Sequence, residues 1–278
     1  MHVGFIGLGS QGGPMARRIL EGGYPTTLWA RRAATLEPFA GTPAKVATSP
    51  SALAAASDLV CVCVVADADV EQVLCGDDGV LAGMQPGGIV AIHSTVHPAT
   101  CRRLAANAAA RGVSVLDAPV SGGGAAAAER RLLVMVGGEA ESFARARPVF
   151  ATYGDPVLHL GPVGSGQTVK LLNNLVFTVQ LGIATKVFEV GRALEIEPTA
   201  LAQVLTLGSG RSYGLELTSS MGFSAAPLAA HAGALLCKDV GIVAELADAS
   251  AVDLGVLLAA ADAALDVLQH PRRPNDAR

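Results

Sequence analysis

A lysine and an asparagine stand four residues apart in a segment that is otherwise mostly apolar, Gly164–Asn174 and the residues after it. The spacing places Lys170 and Asn174 on one face of a predicted helix. In such a helix, both side chains should be buried or should face a cleft. An ammonium in a cleft can donate a proton, and an amide can bind a hydroxyl group. The alternative is structural: Lys170 extends its amine to solvent, and Asn174 bonds a nearby carbonyl.

A glycine-rich loop near the N-terminus has the spacing of a dinucleotide-binding site. It follows the strand-like run Val3–Ile6, precedes the helix-like run Pro14–Glu21, and reads Gly7-Leu8-Gly9-Ser10-Gln11-Gly12. The first glycine allows a tight turn, the second lets the backbone approach a pyrophosphate, and the third lets the helix lie close to the strand. The helix N-terminus supplies N–H groups for the phosphates. A chance turn is disfavoured because the loop lies between a strand and a helix.

Two arginines follow the second predicted strand, at Arg31 and Arg32. A site selective for NAD usually has an acidic residue there, which binds the ribose diol. An arginine fork suits a 2′-phosphate instead. The residues therefore predict NADP, and the alternative is a pair of ordinary exposed arginines after a strand.

A second glycine-rich turn, Ser121-Gly122-Gly123, follows another predicted strand. A hydroxyl group and unobstructed backbone N–H groups can bind a carboxylate. Taken alone, the turn favours a flexible connection over a binding site. Near a dinucleotide site, binding is favoured because ligands of open α/β sheets lie beyond the carboxyl ends of the strands.

The elements that must position these residues change in kind along the chain. Up to about residue 162, short apolar runs alternate with helical patterns, which predicts βαβ units and a mainly parallel sheet with helices on both faces. After Gly161-Pro162 the chain reads as helical, beginning with a long helix at Gln167–Leu194. We therefore predict an α/β cofactor domain over 1–162 and an all-α domain over 163–278.

Composition sets limits on the class of protein. The chain has 278 residues, of which 51% are hydrophobic and 16% charged, and a net charge of -4 that argues against a nucleic-acid partner. We expect no membrane span, because no uninterrupted apolar run is long enough. The chain has five cysteines, and Cys61 and Cys63 lie in an apolar, strand-like run, as is typical of a reducing compartment. Together with the absence of a signal-peptide pattern, this indicates the cytoplasm. The histidines and cysteines have no metal-ligand spacing, so no metal site is expected.

The combined pattern resembles the β-hydroxyacid dehydrogenases, the group of 3-hydroxyisobutyrate dehydrogenase and tartronate semialdehyde reductase. The matching segments occur in the family's order and cover nearly the whole chain; they are Gly7–Ala16, Ser94-Thr95, Asp117–Gly123, Gly164–Asn174, Ser209–Ser212 and Lys238-Asp239. The resemblance implies a Rossmann domain, a long interdomain helix and a helical domain that forms a homodimer.

The resemblance also implies roles for individual residues. Lys170 would be the catalytic lysine, and Asn174 would be its partner beside the substrate. The carboxylate of a small substrate would be held by Ser121, Gly122 and Gly123. The cofactor site would be lined by Val65, Ala66 and Thr95, and Lys238 would reach its nicotinamide end. The reaction implied is hydride transfer between NADP(H) and a small semialdehyde or 3-hydroxy acid, with Lys170 as general acid and base.

Some residues depart from the family pattern, and these departures concern the substrate. They are Ala66 in place of a proline, His93 in place of an aspartate, Ala126–Arg131 in place of a second glycine pair, and Tyr213 in place of a tryptophan. Arg211 and Tyr213 either contact substrate or serve structure.

Three alternatives remain to the predicted dehydrogenase. An imine reductase shares the architecture but usually has aspartate or tyrosine where Lys170 stands. A catalytically silent NADP-binding protein would have lost its proton donor. A dehydrogenase of larger phosphorylated sugar acids usually has a longer helical domain.

Overall fold

The structure, a computed structural model, describes residues 1–272. The chain divides into two units, one covering Met1–Lys170 and one beginning at Leu171. The domain boundary predicted after residue 162 lies earlier in the chain than this division, just beyond the last strand of the sheet. Residues 273–278 of the predicted helical domain lie outside the described part.

The first unit is built on a mainly parallel sheet, as predicted. Its described strands, in chain order, are β1 (Val3–Ile6), β2 (Thr26–Trp29), β3 (Lys45–Val46), β4 (Leu59–Val62), β5 (Ile89–Ile92), β6 (Ser114–Asp117), β7 (Val120–Ser121), β8 (Leu132–Gly137) and β9 (Gly154–Gly161). The spatial order is β3-β2-β1-β4-β5-β6-β8-β7, and β9 pairs with β8. Only β8 pairs antiparallel among the described strands, with β6 and β7. This topology confirms the predicted Rossmann-type α/β fold.

Helices connect the strands and then form the second unit. Those of the first unit are α1 (Gly12–Glu21), α2 (Pro50–Ala55), α3 (Asp67–Cys75), α4 (Val80–Gly83), α5 (Pro98–Ala109), α6 (Gly123–Ala128) and α7 (Ala140–Phe150). The remaining helices are α8 (Ser165–Ala193), which runs from one unit into the other, and α9 (Pro198–Leu207), α10 (Tyr213–Ser220), α11 (Ala234–Ala249) and α12 (Val256–Val267). The all-helical character predicted after the sheet is confirmed.

The central strands are apolar on both faces because helices cover both. Alternate residues of β4 belong to different core clusters: Leu59 and Cys61 lie on one side of the sheet, whereas Val60 and Val62 lie on the other. The continuous apolar runs in the sequence are typical of such doubly covered strands. Strands β1, β4, β5 and β6 are mutually parallel, so the loops that follow them share one edge of the sheet.

Some helices of the second unit differ from the prediction. The sequence pattern predicts a helix over Leu228–Ala249, whereas the structure has a short 3-10 turn and a π-helical stretch before α11. Helix α10 was not predicted, because its glycine, serine and threonine residues weaken the helical pattern. Ser212 caps it, since its Oγ accepts a hydrogen bond from the Leu215 N–H at 3.1 Å.

Two helices are long and apolar enough to cross a membrane by length and composition alone: Ser165–Ala193 and the continuous helical stretch Ala226–Ala249. Both contribute apolar residues, such as Leu171 and Val240, to the core of the second unit. Long core helices of globular proteins meet the same criterion, so this observation is weak evidence for a membrane segment.

A histidine is buried in the core of the first unit, directly after β5. The ring of His93 lies between aromatic side chains, with its centroid 5.5 Å from that of Phe150. Its Nδ1–H donates to the carbonyl oxygen of Ala118 at 2.6 Å, which leaves Nε2 to accept from the Tyr153 hydroxyl at 3.2 Å. Burial lowers the pKa of His93 to about 4. The imidazole is therefore neutral in the folded protein.

We expect this histidine to make the protein sensitive to acid. In the unfolded chain His93 titrates near pH 6.5, whereas the folded state resists protonation down to about pH 4. The effect of His93 on the free energy of unfolding is therefore small above about pH 6.5 and grows as the pH drops toward 4. Between pH 7 and pH 5 we expect this histidine to lower the free energy of unfolding by about 2 kcal/mol. Urea unfolding at the two pH values should show this loss in the wild type and a smaller one in His93→Asn.

The matched control for this experiment is His231→Asn, because His231 is exposed. It should keep the wild-type pH dependence. An equal loss of stability in the wild type and in His93→Asn would show that another group causes the acid sensitivity.

Candidate active site

The glycine-rich loop between β1 and α1 has the conformation that dinucleotide binding requires. Gly7 has a φ of +96°, and a Cβ added there would lie 2.1 Å from the Cys63 carbonyl oxygen. A Cβ added at Gly12 would lie 2.0 Å from the Gly7 oxygen. Side chains are thus excluded where the strand, the loop and the helix meet. At Gly9, by contrast, an added Cβ would meet no atom within 4 Å, so the backbone is open to a ligand.

A cavity of about 390 Å³ lies beside this loop, lined by Gly7, Leu8 and Gly9 and by the residues that follow β2 and β4. Gln11, the N-cap residue of α1, makes no capping hydrogen bond with its side chain, so N–H groups at this end of the helix can bind a phosphate. An open glycine, a helix N-terminus and a cavity lined by the glycine-rich loop fit a dinucleotide. Ser10, Gln11 and Gly12, predicted to contact the cofactor, belong to the same loop and helix start.

Arg31 and Arg32 line the same cavity, just after the end of β2. Both are exposed, and the Arg31 side chain keeps 74% of its surface accessible. Its Nη1 lies 3.3 Å from Asp69 Oδ1 on α3. Asp69 also accepts the Ala66 N–H at 3.3 Å, so one carboxylate joins the start of α3 to the arginine. Sequence reasoning missed Asp69, because its partner lies 38 residues away.

The loops after β4 and β5 carry the other predicted cofactor residues. Val65 lines the cavity and is exposed, whereas Ala66 is the N-cap residue of α3 and is not among the lining residues. Thr95 follows β5 and is half-buried. The Oγ of Ser94 accepts the Val64 N–H at 2.8 Å, which ties the two loops together.

The predicted carboxylate loop, Ser121–Gly123, connects β7 to the first turn of α6. Gly122 and Gly123 have φ values of +128° and +75°, and both are exposed. A Cβ added at the next residue, Gly124, would lie 2.3 Å from the Ser10 carbonyl oxygen. The fold therefore holds this turn directly against the glycine-rich loop. The segment connects a strand to a helix, and its role in binding a carboxylate stays a prediction.

The helix that carries Lys170 is fixed at its N-terminus by a buried carboxylate. Asp117, at the end of β6, accepts the Gly164 N–H at 2.7 Å and the Gln167 N–H at 2.8 Å. Burial raises the pKa of Asp117, and these N–H donors oppose the rise. A Cβ added at Gly166 would lie 2.4 Å from the Met135 oxygen, so the glycine is needed for this close approach. Lys170 follows one turn later and is only 8% exposed.

In the second unit, Asn174 belongs to a network of polar side chains. Its Nδ2 donates to Asp239 Oδ2 at 2.6 Å, and Lys238 Nζ lies 2.9 Å from the other oxygen of the same carboxylate. Asp239 is buried on α11. The network links two residues that the sequence nominated separately, Asn174 and Lys238. Tyr213, whose role the sequence left open, packs its ring against Phe177 at 5.7 Å.

Two family models match the chain. The NAD binding domain of 6-phosphogluconate dehydrogenase matches residues 2–161, and the NAD-binding domain of NADP-dependent 3-hydroxyisobutyrate dehydrogenase matches residues 164–277. Between them the two matches cover both units.

Characterised relatives extend the comparison over most of the chain. The NAD-dependent L-serine dehydrogenase of Pseudomonas aeruginosa is 35% identical over 90% of this chain and 86% of its own. The 3-hydroxyisobutyrate dehydrogenase of the same organism is 33% identical over 93% and 88%. The Mycobacterium tuberculosis 3-hydroxyisobutyrate dehydrogenase structure with L-serine has a TM-score of 0.85, 26% identity and coverage of 98% and 96%.

Proposed function

The chain belongs to the β-hydroxyacid dehydrogenase family, and we propose that it transfers a hydride between NADP(H) and the carbonyl carbon of a small 3-oxo or semialdehyde acid. The reverse reaction oxidises the corresponding 3-hydroxy acid. Membership supports an NAD(P)-dependent dehydrogenase of hydroxy acids; the choice of NADP, the substrate and the role of Lys170 are our proposals.

One observation supports this function above the others: the chemistry-bearing residues of the first unit follow neighbouring parallel strands. The glycine-rich loop follows β1, Val65 follows β4, Thr95 follows β5, and Asp117 ends β6 and anchors the helix of Lys170. The helix that carries the buried lysine therefore begins at the edge of the sheet where an open α/β fold binds its ligand. A silent binding protein has no need to bury an ammonium group there.

Each predicted residue has a task in this proposal. When bound, the nicotinamide supplies or accepts the hydride. The N–H groups and hydroxyl of Ser121–Gly123 hold the substrate carboxylate. Lys170 donates a proton to the oxygen on which negative charge develops, and takes it back in the oxidation direction. Asn174 lies one turn further on the same helix, with its Nδ2 bonded to Asp239, and it holds the substrate hydroxyl or orients the Lys170 amine.

The choice of NADP rests on the end of β2. Trp29 and Ala30 provide no acid for a ribose diol, while Arg31 and Arg32 supply two permanent positive charges at the cavity. The family model for the second unit carries the name of an NADP-dependent enzyme. The P. aeruginosa L-serine dehydrogenase is NAD-dependent by name, so cofactor preference must be measured.

A substrate panel tests the reaction. The purified protein should oxidise NADPH with succinic, methylmalonic or tartronic semialdehyde or glyoxylate, and reduce NADP+ with 3-hydroxyisobutyrate or L-serine. The last two compounds are included because two relatives are named as dehydrogenases of L-serine and of 3-hydroxyisobutyrate. Turnover of cyclic imines alone would favour the imine-reductase alternative, and turnover of 6-phosphogluconate alone would favour a sugar-acid dehydrogenase. NADPH binding without any turnover would favour the silent protein.

The proposal includes a homodimer formed by the second unit. An exposed apolar stripe runs along α8 at Leu172, Val176, Ile183 and Val190 and continues at Leu194, just beyond the helix. Such stripes are typical of surfaces that associate. Sedimentation equilibrium measures the oligomeric state directly, and a monomer at micromolar concentration would contradict the proposed homodimer. The cytoplasmic location stays a prediction, which fractionation of cells expressing the protein would test.

A further inference from the structure

The side chain of Gln167 bridges the two residues that flank Thr95. Its Nε2 donates to the Ser94 carbonyl oxygen at 2.8 Å, and its Oε1 accepts the Val96 N–H at 3.1 Å. The residue is fully buried. One amide thus satisfies an acceptor and a donor of the β5 loop, and Thr95 is the residue enclosed between them.

The backbone of the same residue is held from another strand. The Gln167 N–H donates to Asp117 at the end of β6. The Ser94 residue that Gln167 contacts also accepts the Val64 N–H, after β4. The first turn of α8 is therefore connected to the ends of three neighbouring strands. Lys170 lies three residues beyond Gln167, within the same turn and on the same side of the helix.

We propose that Gln167 is a positioning residue for hydride transfer. It sets the place of the Thr95 loop relative to Lys170, and so sets the alignment between the nicotinamide side of the site and the proton donor. The inference rests on the proposed function, in which Thr95 lines the cofactor site and Lys170 acts on the substrate. A displacement of about 1 Å between reacting groups can cost about 100-fold in rate.

The chemistry of the contact explains why an amide is needed. Ser94 offers a carbonyl oxygen and Val96 offers an N–H, so the side chain between them must donate and accept at once. An ionised carboxylate has no donor, and it would face the Ser94 oxygen with a negative charge. A thioether of similar length satisfies neither group. The thioether leaves both backbone groups without this partner, and the carboxylate leaves the Ser94 oxygen without it. Either loss favours movement of the loop.

The test uses Gln167→Met and Gln167→Glu in the full-length protein, with Gln203→Met as the matched control. Gln203 is exposed on α9. For both Gln167 variants we expect kcat to fall by about 10- to 100-fold while the Kd for NADPH changes by less than about threefold. The primary isotope effect with C4-deuterated NADPH should rise, because hydride transfer becomes slower than the other steps.

Two further readouts separate positioning from a general loss of structure. Amide hydrogen exchange of the peptide that contains residues 94–96 should accelerate in Gln167→Met, and this readout needs no substrate. In Gln167→Glu, kcat relative to wild type should recover as the pH falls, because a protonated carboxyl donates and accepts as the amide does. This variant also tests the inference if Gln167→Met does not fold.

Several results would overturn the inference. The first is a folded variant with the kcat and the isotope effect of the wild type. The second is a rise in the NADPH Kd that accounts for the whole loss of activity. The third is a fall in the kcat of Gln167→Glu that low pH does not reverse. A wild-type protein that turns over no compound of the panel refutes the proposed function instead. In that case unchanged exchange at residues 94–96 still refutes the bridging role.

Discussion

Lys170→Ala is expected to lose turnover while still binding NADPH. Without the ammonium group, no proton is delivered to the oxygen that becomes negatively charged as hydride arrives, and general acids of this kind contribute about 100- to 10,000-fold. We expect kcat to fall within this range, measured by NADPH oxidation at saturating substrate. The Kd for NADPH, measured by fluorescence titration, should change little, because the cavity and the glycine-rich loop do not include this residue.

Two variants make this result specific. Lys170→Arg keeps a positive charge but replaces the amine by a guanidinium that does not release its proton, so it should remain nearly inactive if proton transfer is the role. Lys186→Ala is the matched control, because Lys186 lies on the same helix with its side chain 76% exposed. Activity of Lys170→Ala within about fivefold of wild type would contradict general acid catalysis.

The second large effect is expected at the cofactor end. Arg31→Ala combined with Arg32→Ala should raise the KM for NADPH by about 10- to 100-fold, the effect of losing about 1.5–3 kcal/mol of charge-assisted hydrogen bonding. The KM for NADH should change little, because NADH has no 2′-phosphate. The double variant is required because either arginine can contact the phosphate, and Arg31 is already paired with Asp69.

The control for the arginine pair is Arg103→Ala. Arg103 is an exposed arginine of the same unit that forms an ion pair with Glu71 and does not line the cavity. Its KM values should equal those of the wild type. Equal increases in the KM for NADPH and for NADH in the double variant would show that the arginines stabilise the site in general and do not select NADP.

The sequence alone predicted those features that depend on residues close together in the chain. The glycine-rich loop is recognisable because its three glycines, the strand before it and the helix after it occupy fewer than about 20 consecutive residues. The alternation of strands and helices, the change to helices after residue 162, and the helical spacing of Lys170 and Asn174 are likewise local. The structure confirms the fold class that followed from them.

Element boundaries were less well predicted. The apolar runs of the sequence predict the second strand over Thr27–Trp29 and a later strand over Leu59–Val65. In the structure the second strand has one more residue, and the later strand ends at Val62. The residues after it, up to Val65, are apolar but leave the sheet to line the cavity. Apolar character alone cannot separate a strand from the loop that follows it, because both contact apolar surfaces.

Only the tertiary structure identified how the polar residues of the candidate site pair with one another. Asp117 holds Gln167 across 50 residues, Gln167 holds Ser94 across 73, and Asn174 binds Asp239 across 65. The order of strands in the sheet and the packing of helices decide which side chains pair. The sequence around a side chain does not identify a partner that lies so many residues away. The sequence determined which groups could do chemistry, and the fold determined which of them meet. The physical reason is that hydrogen bonds form between neighbours in space.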